Sequence, residues 1–223
     1  MSGSVLRVLG VDPGLAHLGI GAVLERGRDC ELLLARLVRT RPGDEPGVRL
    51  ESLHAAMLAA IDEARPDAIA IEGQYFHRQR EASFKVGQAV GVVLLAAHAR
   101  GVPVHEYGPL QVKQTLVGSG RADKAQVAFM VRALLGRSSA TAASAATAAS
   151  AATAASAAPA ASAATAASAA PAAPAATAAA TATAAVPHHV TDALALALTH
   201  LARRRLDAHA PPTPARRGGR TRS

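Results

Sequence analysis

The chain has no tryptophan, two tyrosines, three phenylalanines, one cysteine and three lysines in 223 residues. So few aromatics require an aliphatic core of Leu, Val, Ile and Ala. A lone cysteine, Cys30, excludes an internal disulfide and a cysteine-based metal site; it reads as a small strand residue. No N-terminal stretch couples a charged start to a signal-type apolar run. The longest charge-free run, Ser138 to Pro187, is too rich in Ser, Thr and Pro for a membrane span. A cytoplasmic protein with no membrane partner is expected. Two of the five aromatics, Tyr75 and Phe76, sit side by side in a polar neighbourhood, where they do little for packing.

The 50% hydrophobic content overstates the core, because much of it is alanine from one segment. Residues 138–185 repeat a Thr-Ala-Ala-Ser-Ala-Ala unit. Prolines at 159, 171 and 174 interrupt any long helix there. With no large side chains, the segment cannot build a core and is expected to be a disordered insertion. Residues 1–137 and 186–206 then form one domain of roughly 150 residues, a common domain size. Residues 207–223 are expected to be a disordered basic tail. Most of the net charge of +8 lies at that end, where Arg203, Arg204, Arg205, Arg216, Arg217, Arg220 and Arg222 face Asp207 alone. Such an end favours a polyanionic partner.

Short apolar runs over Val5–Val11, Leu18–Leu24 and Glu31–Val38 predict three strands, the first ending in Asp-Pro-Gly. Leu50, Leu53, Met57, Leu58 and Ile61 share the face of a helix over Arg49–Ala64, and Pro66 marks its end. Strands are predicted at Asp67–Ile71 and Val102–Tyr107. Helices are predicted at Ala82–Arg100, Pro109–Leu116, Ala122–Leu135 and Val190–Arg205. Three hairpin strands followed by α/β units give an α/β fold, with a five-stranded mixed sheet flanked by helices. The crossover rule makes the first and fourth strands parallel neighbours.

Asp12 and Glu72 each follow an apolar strand, so neighbouring strands would bring both carboxylates to one end of the sheet. His189 and Asp192, three residues apart, share one face of the last helix. Hard divalent cations prefer oxygen ligands, and a pair about 4 Å apart can activate water and stabilise a leaving oxygen in phosphodiester hydrolysis. A histidine in the set is softer and suits Mn²⁺. Taken singly, each residue has an ordinary reading. Asp12 is a turn residue, Glu72 a solvated edge carboxylate, Asp192 an acid favoured by the helix dipole. His188 competes with His189 for any histidine role.

Longer strings carry more. Leu9-Gly10-Val11-Asp12-Pro13-Gly14, Ala70-Ile71-Glu72, Lys85-Val86-Gly87-Gln88-Ala89, Gln111-Val112-Lys113-Gln114-Thr115, Ala122-Asp123-Lys124-Ala125-Gln126-Val127 and Thr191-Asp192-Ala193-Leu194-Ala195 occur in this order. With these strings the chain resembles the RuvC family of bacterial Holliday-junction resolvases over residues 5–136 and 187–203. The resemblance implies a ribonuclease H-like fold and a homodimer that nicks four-way junction DNA in symmetric pairs during recombination and repair. It also implies two Mg²⁺ per active site, with Mn²⁺ an alternative, and a branch-migration complex of the RuvA and RuvB type as partner. It assigns catalysis and metal binding to Asp12, Glu72 and Asp192. His189 falls where many members carry a fourth aspartate, and it is expected to complete the catalytic and metal-binding set. Tyr75, Phe76, Arg78, Gln79 and Arg80 match a junction-contacting segment, whose aromatics would stack on opened bases and whose arginines would meet phosphates. Lys113 and Lys124 match basic positions near the scissile strand.

The long insertion departs from the family, whose members have a short connection there. Two other functions stay open: a junction-binding relative without catalysis, and a ribonuclease H-like nuclease acting on another structured nucleic acid. An actin-like ATPase would need a second domain and more phosphate loops than the chain provides.

Overall fold

The structure, a computed structural model, describes residues 5–73, 80–136 and 186–209. The strands are β1 (Leu6–Asp12), β2 (His17–Arg26), β3 (Asp29–Arg39), β4 (Ala68–Glu72) and β5 (Val104–Tyr107). The helices are α1 (Pro46–Ala64), α2 (Arg80–Ala99), α3 (Pro109–Val117), α4 (residues 124–136) and α5 (His188–His209). The sheet order is β3-β2-β1-β4-β5. The first three strands form an antiparallel meander, and β4 and β5 join parallel beyond β1. This is the expected mixed sheet.

Strand alternation sorts side chains between two cores. Leu9 and Val11 of β1, Leu18, Ile20 and Ala22 of β2, and Ile69 and Ile71 of β4 face α1 and α2. Val8, Val23 and Ala70 join the opposite core with α3, α4 and α5. Asp12 keeps phase with Val8 and Gly10, and Glu72 with Ala70, so both acids sit on the α5 side. Residues 193–201 of α5 are buried throughout, with the sheet beneath and α3 and α4 above, so α5 is the central helix of that layer.

Small residues set the depth of α5. A Cβ added at Gly10 would lie 1.8 Å from the Ala193 carbonyl oxygen, and one at Gly19 would lie 2.1 Å from that of His189. At Gly21 a Cβ would meet Leu194 side-chain carbons at 2.6 Å. Glycine in strand interiors marks such close approaches. Here the helix backbone rests on β1 and β2.

The helix ends differ from expectation most in two places. α1 begins at Pro46, earlier than Arg49, because proline suits the first helical turn and the Glu45 carboxylate accepts from Gly47 N at 3.2 Å. α5 continues through Asp207, Ala208 and His209, so these residues do not belong to the tail expected over 207–223. Arg205 supplies the reason: it pairs with the Glu25 carboxylate and donates to the Gly27 carbonyl at 3.0 Å, holding the last turns against the β2–β3 hairpin. Residues 138–185 and 210–223 lie outside the described residues. Among the described residues, no helix is long and apolar enough to cross a membrane.

Candidate active site

The parallel register pairs Val11 with Ile71. Asp12 and Glu72 are therefore the next residues of adjacent strands, about 4.8 Å apart across the ladder. Both leave the sheet at the same end and on the face covered by α5. Gly19 is the ladder partner of Asp12. Because Gly19 has no side chain, the first turn of α5 reaches β2 directly.

That seating brings His189 to Asp12: His189 Nδ1 lies 2.6 Å from Asp12 Oδ2, a contact across most of the chain. The ring of His17, at the start of β2, stacks on that of His189 with centroids 5.2 Å apart and planes inclined by 5°. His188 is tilted 57° from His189 at 6.0 Å, so of the two adjacent histidines it is His189 that joins the site. One turn along α5, Asp192 Oδ2 stands 3.9 Å from Lys124 Nζ, at the start of α4. Burial pushes the Asp192 carboxyl above the ordinary carboxylate range; Lys124 opposes the rise, Asp12 adds to it, and His189 and His188 oppose it.

The structure thus unites Asp12, His189, Asp192 and Lys124, and the register adds Glu72. Lys113 is half-buried on α3, and no hydrogen bond or ion pair joins it to the acids. Tyr75, Phe76, Arg78 and Gln79 lie outside the described residues, and Arg80 is described only by its backbone as the first residue of α2. His17 is an addition. Nothing in its immediate neighbours marks it; the signal is its alternation with Gly19 and Gly21 on the face of β2 that receives α5.

The donor set suits a hard divalent cation. Three carboxylates and an imidazole gather at one sheet end; the Asp192 carboxyl is raised by burial first, with Asp12 adding to the rise, and a cation there would favour its charged form. As the side chains stand, no three His, Cys, Asp or Glu groups among the described residues converge closely enough to hold a metal ion. Asp12 is turned toward His189 instead.

Fold and site together define a nuclease of the ribonuclease H-like class. A family model described as "Crossover junction endodeoxyribonuclease RuvC" matches residues 8–156. The chain belongs to the RuvC family, a family of metal-dependent nucleases. It is 46% identical over 140 residues to the crossover junction endodeoxyribonuclease RuvC of Thermus thermophilus, covering 61% of this chain and 84% of that one. To the same enzyme of Moorella thermoacetica it is 43% identical over 131 residues, covering 59% and 78%. A solved structure of Thermus thermophilus RuvC superposes with a TM-score of 0.65 at 36% identity, covering 91% of this chain and 97% of that one. One described as that protein in complex with Holliday junction substrate superposes with a TM-score of 0.66 at 36% identity, covering 91% and 96%. The family-model match stops short of α5, so the place of His189 and Asp192 in the site comes from the packing of α5.

Proposed function

We propose that the protein is an endonuclease that resolves Holliday junctions in DNA recombination and repair, hydrolysing phosphodiester bonds by paired symmetric nicks. The observation that carries this reading is the 2.6 Å contact between Asp12 and His189. It joins the strand-end acid to the His189–Asp192 helix face in a chain of this family. Asp12, Glu72, Asp192 and His189 would hold divalent ions, two Mg²⁺ or Mn²⁺ per site. Such ions supply water activation and stabilisation of the leaving oxygen. The chain's own residues do the rest. Partial burial on the α5 face holds the Asp192 carboxyl above its ordinary range. Lys124 brings a positive charge beside Asp192, where a scissile phosphate would lie. Lys113 adds charge along the strand. Tyr75 and Phe76 would stack on opened bases, while Arg78, Gln79 and Arg80 would hold the backbone.

A junction with two-fold symmetry calls for two active sites, hence a homodimer. The face offered is on α2, where Phe84, Leu94 and Leu95 are exposed. Gly87 and Gly91 stand between them with open space around each, so a second copy of α2 could approach closely. In sequence, the same helix follows directly on the segment carrying Tyr75 and Phe76. The protein acts in the cytoplasm, with a branch-migration complex of the RuvA and RuvB type supplying the junction. The five-stranded sheet and its helices are complete without residues 138–185.

The test uses a synthetic four-way junction and a matched linear duplex with Mg²⁺, Mn²⁺ or chelator. Paired nicks in the junction alone, dependent on metal, are expected. Glu72→Gln should abolish cleavage and leave junction binding intact. Cleavage by that variant refutes the site, and tight binding without nicks by the wild type refutes the enzyme.

A further inference from the structure

His189 is held at two points. Its Nδ1 edge meets Asp12 Oδ2 at 2.6 Å. One face of its ring lies against His17, almost parallel at 5.2 Å between centroids. The His189 side chain is 39% exposed, with the His188 ring tilted beside it at 6.0 Å. Its backbone is already fixed, because Gly19 lets the His189 carbonyl press onto β2. His17 lies two residues before Gly19, on the same face of the strand. The stack therefore follows from the seating of α5. No hydrogen bond or ion pair connects His17 to the acids among the described residues, so its link to the site runs through the His189 ring.

The need for such a clamp follows from the donor. A carboxylate offers two oxygens and about four lone-pair directions, so moderate rotation leaves a donor facing a cation. A neutral imidazole nitrogen offers one lone pair in the ring plane. Turning the ring out of plane removes the donor.

We propose that His17 is a positioning residue, fixing the plane of His189 and so setting the strength of the divalent-metal site. The inference rests on the metal reading above. It is specific to an imidazole at position 189, and this separates it from a general structural role.

The experiment uses the full chain. Mn²⁺ binding is measured by titration calorimetry without DNA, and junction cleavage at limiting Mn²⁺ is measured in parallel. His17→Ala is expected to weaken Mn²⁺ binding by about tenfold, the lower end of what is lost when an outer partner of a metal ligand is removed. Junction binding in chelator should not change. His17→Phe, which keeps a flat ring, should restore most of the affinity. In a His189→Asp background, His17→Ala should have no effect, since a carboxylate does not need the clamp.

Three results would overturn the proposal. These are wild-type Mn²⁺ affinity in His17→Ala, a Phe variant as weak as the Ala variant, or an equal loss in the His189→Asp background. If the wild type cleaves with metal and any of these occurs, only the His17 inference fails. If the wild type binds no Mn²⁺, the metal reading beneath it fails as well.

Discussion

Gly10→Ala adds one methyl group where the structure has no room. Two effects oppose each other. Removing glycine from a strand interior should gain roughly 0.5–1 kcal/mol from reduced backbone entropy. Against this, the new Cβ would lie 1.8 Å from the Ala193 carbonyl oxygen, 2.7 Å from its carbonyl carbon and 2.9 Å from Ala197 N. Carbon–oxygen contacts settle near about 3.3 Å, so α5 would have to retreat by roughly 1.5 Å. All three obstructing atoms are backbone, so no rotamer change relieves them. Overpacking of this kind costs about 1–3 kcal/mol, and a backbone clash belongs at the upper end. The clash should win by about 2 kcal/mol, lowering the melting temperature by roughly 4–8 °C for a domain of this size. The catalytic consequence should be larger. The same helix carries His189 and Asp192, and a displacement of about 1 Å can cost on the order of a hundredfold in rate. Circular dichroism melting and single-turnover junction cleavage, well below the melting temperature, read the two effects separately. Gly43→Ala, with no atom within 4 Å of an added Cβ, is the control. Wild-type melting and cleavage in Gly10→Ala would refute the seating of α5 on β1. A lowered melting temperature with unchanged cleavage would show that this seating does not set the catalytic geometry.

Three further outcomes follow from the same structure. Burial, with help from His105 and Arg204, lowers the pKa of His200 to about 4, so between pH 6.5 and about 4 the unfolded chain takes up a proton that the folded chain refuses. Stability should therefore be full above pH 6.5 and fall by about 3 kcal/mol down to pH 4; His200→Leu should lose this part of the acid limb in urea titrations, and an unchanged limb would refute it. Leu95→Asp should convert dimer to monomer in sedimentation, while Phe129→Asp, at an exposed site on α4, should not; a dimeric Leu95→Asp would exclude the α2 face. Replacing residues 138–185 by a Gly-Ser loop of about six residues should leave cleavage intact and stabilise by roughly 2 kcal/mol through loop closure, whereas lost cleavage would make the insertion part of the machinery.

The architecture was legible where the sequence signal was local. Apolar runs ending in Asp12 and Glu72 gave two strands and their shared edge, and the crossover rule made those strands parallel neighbours. Helical periodicity gave α1, and Pro46 and Arg205 account for the ends that differ. Less legible was everything that depends on two distant segments meeting. Gly10, Gly19 and Gly21 look like ordinary strand glycines until α5 arrives to occupy the space they leave. His17 belongs to the site only because that helix sits so low. The same seating explains how the imidazole of His189 reaches Asp12. A shallower α5 would leave His189 far from Asp12 and without a ring to lean on, and a single lone pair would then point nowhere useful. In this chain the choice of histidine at 189 and the absence of a side chain at 19 are two parts of one arrangement, which neither local motif reveals alone.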